Sequence, residues 1–159
     1  MQSGLYNNTY QFIQTNDYVM IDVEQMHDAR IIPIFASAIE ARANRRPEVL
    51  QQYMGDSVGW YEGDALVVET INVNPQQMQQ SSTAITKNGR ITERFTRYSD
   101  TEIVYRFTVE DSDLYSQAWT AELSFHTSDG HLYEYACHEG NYSMPGTLAG
   151  ARRLEAEQK

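Results

Sequence analysis

The sequence predicts a mainly β fold: one antiparallel, lipocalin-like β-barrel of about eight strands, with one or two short helices. Two observations support this prediction. β-Branched and aromatic residues recur in short runs, and turn residues separate these runs at regular intervals. Closure into a barrel would also pair the edges that so many strands expose. The length of 159 residues suits a single domain over residues 1–159.

The first predicted strands form a hairpin. Tyr10 to Gln14 ends at the turn residues 15–17, and Tyr18 to Gln25 follows. Ile31 to Ile34 is the next apolar run. Its Pro33 cannot donate a backbone hydrogen bond, which favours a sheet edge or a strand end.

A helical insert is expected at about residues 36–54, because Ala, Glu, Arg, Gln and Leu replace the β-formers there. Pro47 suits the first turn of a helix that runs to Tyr53, and Gly55 suits its end. The sequence leaves open whether a second short helix precedes Pro47.

The later strands are separated by clear turns. The polar residues 74–87 have no regular period and are expected to form a long loop, which is either a lid, a binding loop or a merely mobile segment. The tail 148–159 has the composition of a helix. The remaining predicted strands are Gly59 to Tyr61, Leu66 to Val73, Ile91 to Tyr98, Glu102 to Val109, Ala118 to His126 and Leu132 to His138.

Composition excludes several classes of binding partner and an intrachain disulfide cross-link. There are 12 Lys and Arg against 22 Asp and Glu, a net charge of −10, so neither a nucleic acid nor an anionic membrane surface is an expected partner. No apolar run is long enough for membrane insertion, and the first residues carry no export signal. The single cysteine, Cys137, excludes an intrachain disulfide and is expected to be an inert buried thiol.

Two histidine and carboxylate clusters are the candidates for catalysis. His27 precedes Asp28, and His138 precedes Glu139. A histidine can serve as a general acid or base near neutral pH, and a neighbouring carboxylate can fix its tautomer. Arg30 would then hold a substrate carboxylate or a developing oxyanion. The alternative is a buried hydrogen-bond and ion-pair network that closes one end of the barrel.

A metal site is not favoured, because no short metal-binding motif is present; if one exists, His27, His138 and Glu139 would be its ligands. No cofactor is expected, since phosphate loops and nucleotide fingerprints are also absent. His126 and His131 flank a turn and are expected to be exposed. The aromatic residues that are candidates to line a pocket, or else to pack between strands, are Trp60, Tyr105, Trp119, Tyr133, Tyr135 and Tyr142.

Several sequence blocks together resemble a family of bacterial proteins usually labelled hypothetical. The resemblance runs from about Tyr6 to Arg152, departs at Phe35 to Arg46, and implies an exported protein whose relatives are longer at the N-terminus. It implies no activity. The blocks are His27 to Pro33, Gly55 to Ser57 with Trp60, Glu62 to Thr70, Glu93 to Arg97, Trp119 to Glu122 and Glu134 to Tyr142.

These observations predict a small barrel enzyme that binds an apolar or mixed organic molecule. The chemistry would be cofactor-independent acid–base catalysis, such as isomerisation, cyclisation, elimination or hydrolysis, with His27 and His138 near the pocket. The alternatives are a non-catalytic barrel that binds a small molecule and a structural module of a larger exported protein.

Overall fold

The computed structural model describes residues 7–74, 76, 83–136 and 138–157. Within these residues the predicted mainly β fold is confirmed, because eight strands form one curled sheet with the shape of a half-barrel. The strands are β1 (Tyr10–Gln14), β2 (Tyr18–Val23), β3 (Asp28–Phe35), β4 (Asp56–Glu62), β5 (Ala65–Ile71), β6 (Arg90–Arg97), β7 (Glu102–Glu110) and β8 (Trp119–His126), and the helices are α1 (Ala38–Ala43) and α2 (Ser143–Glu157).

The strands lie side by side in chain order, and every neighbouring pair is antiparallel except β3 and β4. β3 pairs with β2 as far as Pro33, and its last two residues then pair in parallel with Gly59 and Trp60 of β4. The insert that contains α1 carries the chain back before β4 begins, which is the crossover that a parallel pair requires. Pro33 therefore lies where β3 changes partners, as expected near a strand end.

The concave face of the sheet holds the main hydrophobic core. Tyr105 of β7 is fully buried there, and its ring stacks on Phe95 and Phe107 with centroid distances of 4.8 and 5.5 Å. The predicted alternation along β7 is confirmed, since Tyr105, Phe107 and Val109 are buried. Ile21 and Ile32 extend this core across β2 and β3.

The convex face carries a second, smaller core beneath α1. Ala41 of α1 packs with Val58, Trp60 and Val67 of β4 and β5. The helix begins at Ser37, whose hydroxyl accepts a hydrogen bond from the backbone N–H of Glu40.

Charged residues join the α1 region to the convex face of β5. Glu69 is buried there, with Arg42 Nη2 and Arg45 Nη2 at 2.8 and 2.7 Å from its carboxylate oxygens. Burial would raise the pKa of the Glu69 carboxyl, but hydrogen bonds and charge from the two guanidinium groups lower it below its usual value. Glu69 therefore stays ionised and holds the helical insert on the sheet.

The predicted helix from Pro47 to Tyr53 is wrong: this stretch forms turns, and the helix of the insert is α1. Val49 and Leu50 are exposed, so a helix here would have no buried apolar face to stabilise it. The Asn72 amide also donates a hydrogen bond to the backbone carbonyl of Glu48 and fixes the turn.

The predicted strand from Leu132 to His138 is also wrong, because residues 131–136 have no regular secondary structure. Part of this segment is held instead by the backbone N–H of Tyr133, which donates a hydrogen bond to the Glu24 carboxylate. The expected helical tail is present as α2, which begins at Ser143 rather than at Leu148. Cys137 and most of the predicted loop 74–87 lie outside the described residues.

Neither α1 nor α2 is long and apolar enough to cross a membrane.

Two glycines with positive φ allow a matched test of this packing. A Cβ at Gly55 (φ +80°) would lie 2.7 Å from the backbone oxygen of Ile71, whereas a Cβ at Gly63 (φ +61°) would meet no atom within 4 Å. Gly63→Ala is expected to cost about 1–2 kcal/mol of unfolding free energy from the left-handed backbone alone. Gly55→Ala should cost about 1–3 kcal/mol more, because the β5 backbone must also move. Urea unfolding of both variants measures the difference, and equal losses would contradict this account.

Candidate functional site

A cavity of about 850 Å³ lies between β1 and β8, the two edge strands of the sheet. In the described part of the chain no hydrogen-bonded ladder joins these two strands, and we call the gap between them the seam. Aromatic side chains meet across it: the ring centroids of Tyr10 and Phe125 are 5.1 Å apart, and those of Phe12 and Phe125 are 6.0 Å apart. Side-chain packing therefore joins the two edges of the half-barrel.

The wall of the cavity is largely apolar. Phe12 of β1, Phe95 of β6 and Leu123 and Phe125 of β8 line it, and Phe12 meets Phe95 edge-on at 5.7 Å between centroids. Alternation along each strand directs these residues to the concave face. The wall can thus pack against an apolar or aromatic molecule.

The mouth of the cavity is polar and lies where several turns converge. Its ionisable residues are Asp64, Arg97, Asp100, Glu102 and His126. Arg97 Nη2 lies 3.0 Å from Asp100 Oδ1, which makes an exposed ion pair. The Glu102 carboxylate accepts a hydrogen bond of 2.7 Å from the Ser124 hydroxyl, and Glu102 is the direct register partner of His126.

A buried ion pair lies in the core next to the cavity wall. The Arg30 guanidinium donates two hydrogen bonds to Glu93, from Nη1 at 3.1 Å and from Nη2 at 2.5 Å. The Tyr105 hydroxyl donates a third, of 2.8 Å, to the same carboxylate. The side chain of Glu93 is 1% exposed and that of Arg30 is 10% exposed, so both charges are largely removed from water.

Electrostatics keep this pair ionised. Burial would raise the pKa of the Glu93 carboxyl, but the charge of Arg30, the charge of the N-terminus, and hydrogen bonds from Arg30 and Tyr105 lower it to about 2. Burial raises the pKa of the Tyr105 phenol, and the Glu93 charge raises it further. Arg30 is thus neutralised by Glu93, so its expected role of holding a substrate carboxylate has no support in this geometry.

Tyr10 connects the cavity to the buried ion pair. It lines the cavity, and burial followed by the Glu93 charge raises the pKa of its phenol, while Arg30 opposes this effect. The Tyr10 hydroxyl therefore stays protonated at neutral pH. Its chemical capacity is that of a neutral hydrogen-bond donor or acceptor.

Glu24 fixes the segment that follows β8. This carboxylate is buried at the end of β2, where it accepts hydrogen bonds from the Thr9 hydroxyl, the Asn7 amide and the backbone N–H of Tyr133. The Thr9 hydrogen bond is the largest of the effects that lower the pKa of Glu24. Leu132, the neighbour of Tyr133, lines the cavity. Glu24 therefore helps to position one side of the cavity.

His27 and Asp28, predicted as one catalytic pair, lie at the connection between β2 and β3. His27 is exposed at the end of a short 3-10 turn, Gln25–His27, with a φ of 52°. Asp28 begins β3 and is half-buried, and burial raises the pKa of its carboxyl. Neither residue lines the cavity.

The second predicted cluster lies between β8 and α2. His138 and Glu139 are exposed in a turn, and neither lines the cavity. Tyr133 and Tyr142 are exposed and Tyr135 is half-buried, also outside the cavity lining. Among the residues that the structure describes, no group of three His, Cys, Asp or Glu side chains has the arrangement of a metal site.

The other three aromatic candidates pack within the protein. Tyr105 lies in the core. Trp60 packs on the convex face, where the Arg42 guanidinium lies 5.6 Å from its ring centroid and its indole N–H donates to Glu62. Trp119 meets Phe107 edge-on at 5.6 Å between centroids.

The residues that do line the cavity were overlooked by the sequence-based prediction. Phe125 and His126 lie together at the end of β8, and Phe95 follows Glu93 on the same face of β6. The alternation in each strand was a usable signal for Phe95 and Phe125. The packing of β1 against β8 across the seam could not be predicted from a local sequence pattern, because it joins distant parts of the chain.

Comparison with known proteins finds no matching family model, and no curated protein or solved structure with significant similarity to this chain.

Proposed function

We propose that this protein binds a small organic molecule in the cavity along the seam. The observation that carries the proposal is the cavity itself, about 850 Å³ in volume, with an apolar aromatic wall and a polar mouth. Sites for small molecules are typically concave spaces of about 300–1,000 Å³ in which a few polar groups orient a mostly apolar ligand. The volume and lining of this cavity fit that description.

The half-barrel supports a lipocalin-like mode of binding. Small β-barrels of about eight strands can hold one ligand among their inward side chains. Here Phe12, Phe95 and Phe125 supply the apolar contact, and the protonated Tyr10 hydroxyl supplies a polar one. We infer that the apolar body of the ligand lies against the rings and that its polar end reaches the mouth.

A catalytic version of the proposal depends on His126. His126 is one of the lining residues, but strand alternation turns its side chain, with that of its register partner Glu102, to the face opposite Phe125, and His27 and His138 do not line the cavity. A histidine beside a carboxylate suits acid–base chemistry. Binding requires fewer assumptions, since the wall and the mouth alone account for it.

Titration with the neutral fluorescent probe N-phenyl-1-naphthylamine tests binding. We expect saturable fluorescence enhancement with the wild-type protein. Leu123→Trp adds an indole on the cavity wall and should weaken the apparent affinity by about tenfold, equivalent to 1.4 kcal/mol. The matched control is Thr120→Trp, which adds the same side chain at an exposed position of β8 outside the cavity lining.

Circular dichroism and thermal unfolding must show that both variants are folded. Unsaturable probe fluorescence with the wild-type protein would contradict the proposal. So would equal affinities of the folded Leu123→Trp and Thr120→Trp variants, because the probe would then bind elsewhere.

A further inference from the structure

We infer that the hydrogen bond between the side chains of Gln14 and Tyr61 is a gate across the mouth of the cavity, and that a ligand enters and leaves when this bond opens. We call the bond the gate. The inference rests on the proposed binding function and adds the route of the ligand and its control. It depends on the geometry of the bond, on the faces that its two side chains occupy and on the packing that closes the other sides of the cavity.

The gate joins two strands that are not neighbours in the sheet. The side-chain amide of Gln14, the last residue of β1, donates a hydrogen bond of 2.8 Å to the hydroxyl of Tyr61 in β4. β2 and β3 lie between these two strands, and at about 4.8 Å between neighbours β1 and β4 are about 14 Å apart along the sheet. The two side chains meet because the sheet curls. The bond therefore crosses the concave side of the half-barrel rather than following its wall.

Both side chains of the gate face the cavity. Residues directly opposite each other in an antiparallel pair share a face of the sheet. Gln14 lies opposite Val19 and Tyr61 lies opposite Leu66, and both of these partners belong to the core on the concave face. All four residues line the cavity. The gate thus lies over an apolar part of the cavity.

Packed aromatic rings close other sides of the cavity. At the seam, the centroid of the Phe125 ring lies 5.1 Å from that of Tyr10 and 6.0 Å from that of Phe12. In the wall, the Phe95 ring stacks at 4.8 Å on Tyr105, which is fully buried. A ligand that passed between these rings would have to separate the core.

The gate needs no such disruption to open. Gln14 is exposed and Tyr61 is 42% exposed, so water can replace their hydrogen bond when it breaks. One hydrogen bond of this kind contributes little net stability, because its groups are solvated in the open state. The gate can therefore slow the exchange of a ligand without preventing it.

Stopped-flow mixing with N-phenyl-1-naphthylamine tests the gate. Tyr61→Phe removes the acceptor and Gln14→Leu removes the donor, and each should raise both the association and the dissociation rate constant of the probe by about fivefold. The Kd should change by less than about twofold, because the gate controls access in both directions. The matched control is Tyr18→Phe, which removes a hydroxyl at an exposed position of β2 outside the cavity lining and should leave both rate constants unchanged.

The double variant Gln14→Leu/Tyr61→Phe shows whether the bond itself is responsible. Either substitution breaks the same hydrogen bond, so the double variant should again be about fivefold faster than the wild-type protein. Two independent effects would instead multiply to about 25-fold. Circular dichroism must show that all variants are folded.

The outcomes separate the two proposals. Failure of the probe to bind saturably to the wild-type protein would overturn the binding function, and the gate with it. Saturable binding with unchanged rate constants in the gate variants, with multiplied effects in the double variant, or with equal acceleration by Tyr18→Phe would overturn the gate and leave the binding function standing. Faster exchange in Phe125→Leu but not in Tyr61→Phe would place the route at the seam and also overturn the gate.

Discussion

Replacing Arg30 with methionine is expected to reduce the free energy of unfolding by about 3–5 kcal/mol. The variant removes the guanidinium that donates two hydrogen bonds to Glu93 and leaves a carboxylate whose side chain is 1% exposed. Of the hydrogen bonds described above for this carboxylate, the one from the Tyr105 hydroxyl would remain. A buried carboxylate that loses the guanidinium bound to it is costly because the protein interior solvates its charge poorly.

The double variant Arg30→Met/Glu93→Leu should recover most of this loss. It replaces the ion pair with two apolar side chains of similar length, and a buried ion pair replaced in this way is often neutral or stabilising. The Tyr105 hydroxyl would lose its acceptor, so a deficit of about 1–3 kcal/mol is expected to remain.

Urea unfolding monitored by circular dichroism measures both effects. Arg106→Met is the matched control: Arg106 also pairs with a glutamate on the sheet, Glu122, at 2.8 Å, but their side chains are 59% and 51% exposed. An exposed pair of this kind contributes about 0–1 kcal/mol. If Arg30→Met and Arg106→Met cost the same, or if the double variant is no more stable than Arg30→Met alone, the explanation based on burial is wrong.

The strands were predictable because the relevant signal is local. Alternation of Ile103, Tyr105, Phe107 and Val109 depends on neighbours two residues apart, and the structure buries the last three of them. The parallel pairing of β3 with β4 was not predictable in this way. It depends on how Arg42 and Arg45 of the insert with α1 dock on Glu69, which lies 27 and 24 residues further along the chain.

The candidate site was predictable only in part, for a related reason. Arg30 was identified as important, but its partner Glu93 lies 63 residues away, and no local pattern joins them. His126 is exposed, as predicted, and it also belongs to the lining of the cavity, which the sequence did not indicate. The cavity exists because β1 and β8 face each other across the seam, which only the curvature of the whole sheet determines. The catalytic roles of His27 and His138 stay predictions.

Stability is expected to fall as the pH is lowered from 4.5 to about 2, with Glu93 as a principal cause. The pKa of Glu93 is about 2 in the folded protein, against 4.5 as its ordinary value. A carboxyl with a lowered pKa in the folded state binds protons more readily when unfolded. Its contribution is therefore fully present above pH 4.5 and is lost as the pH falls through the folded value.

Other carboxyls act in the same direction, so the contribution of Glu93 must be isolated. The pKa values of Glu24, Glu62 and Glu69 are also lowered, each through hydrogen bonds that favour the ionised form. The double variant Arg30→Met/Glu93→Leu removes Glu93 and keeps these three. Its unfolding free energy should therefore depend less steeply on pH between 4.5 and about 2 than that of the wild-type protein.

The difference between the two curves of unfolding free energy against pH gives the contribution of Glu93 to the pH dependence of stability. Each pKa unit by which the folded and unfolded values differ corresponds to about 1.4 kcal/mol, so the wild-type protein should lose measurably more stability over this pH range. Urea unfolding at a series of pH values provides both curves. Parallel curves would mean that Glu93 titrates alike in both states, which would contradict its burial beside Arg30. A steeper wild-type curve would show that the carboxylate beside the cavity wall is held ionised by the fold.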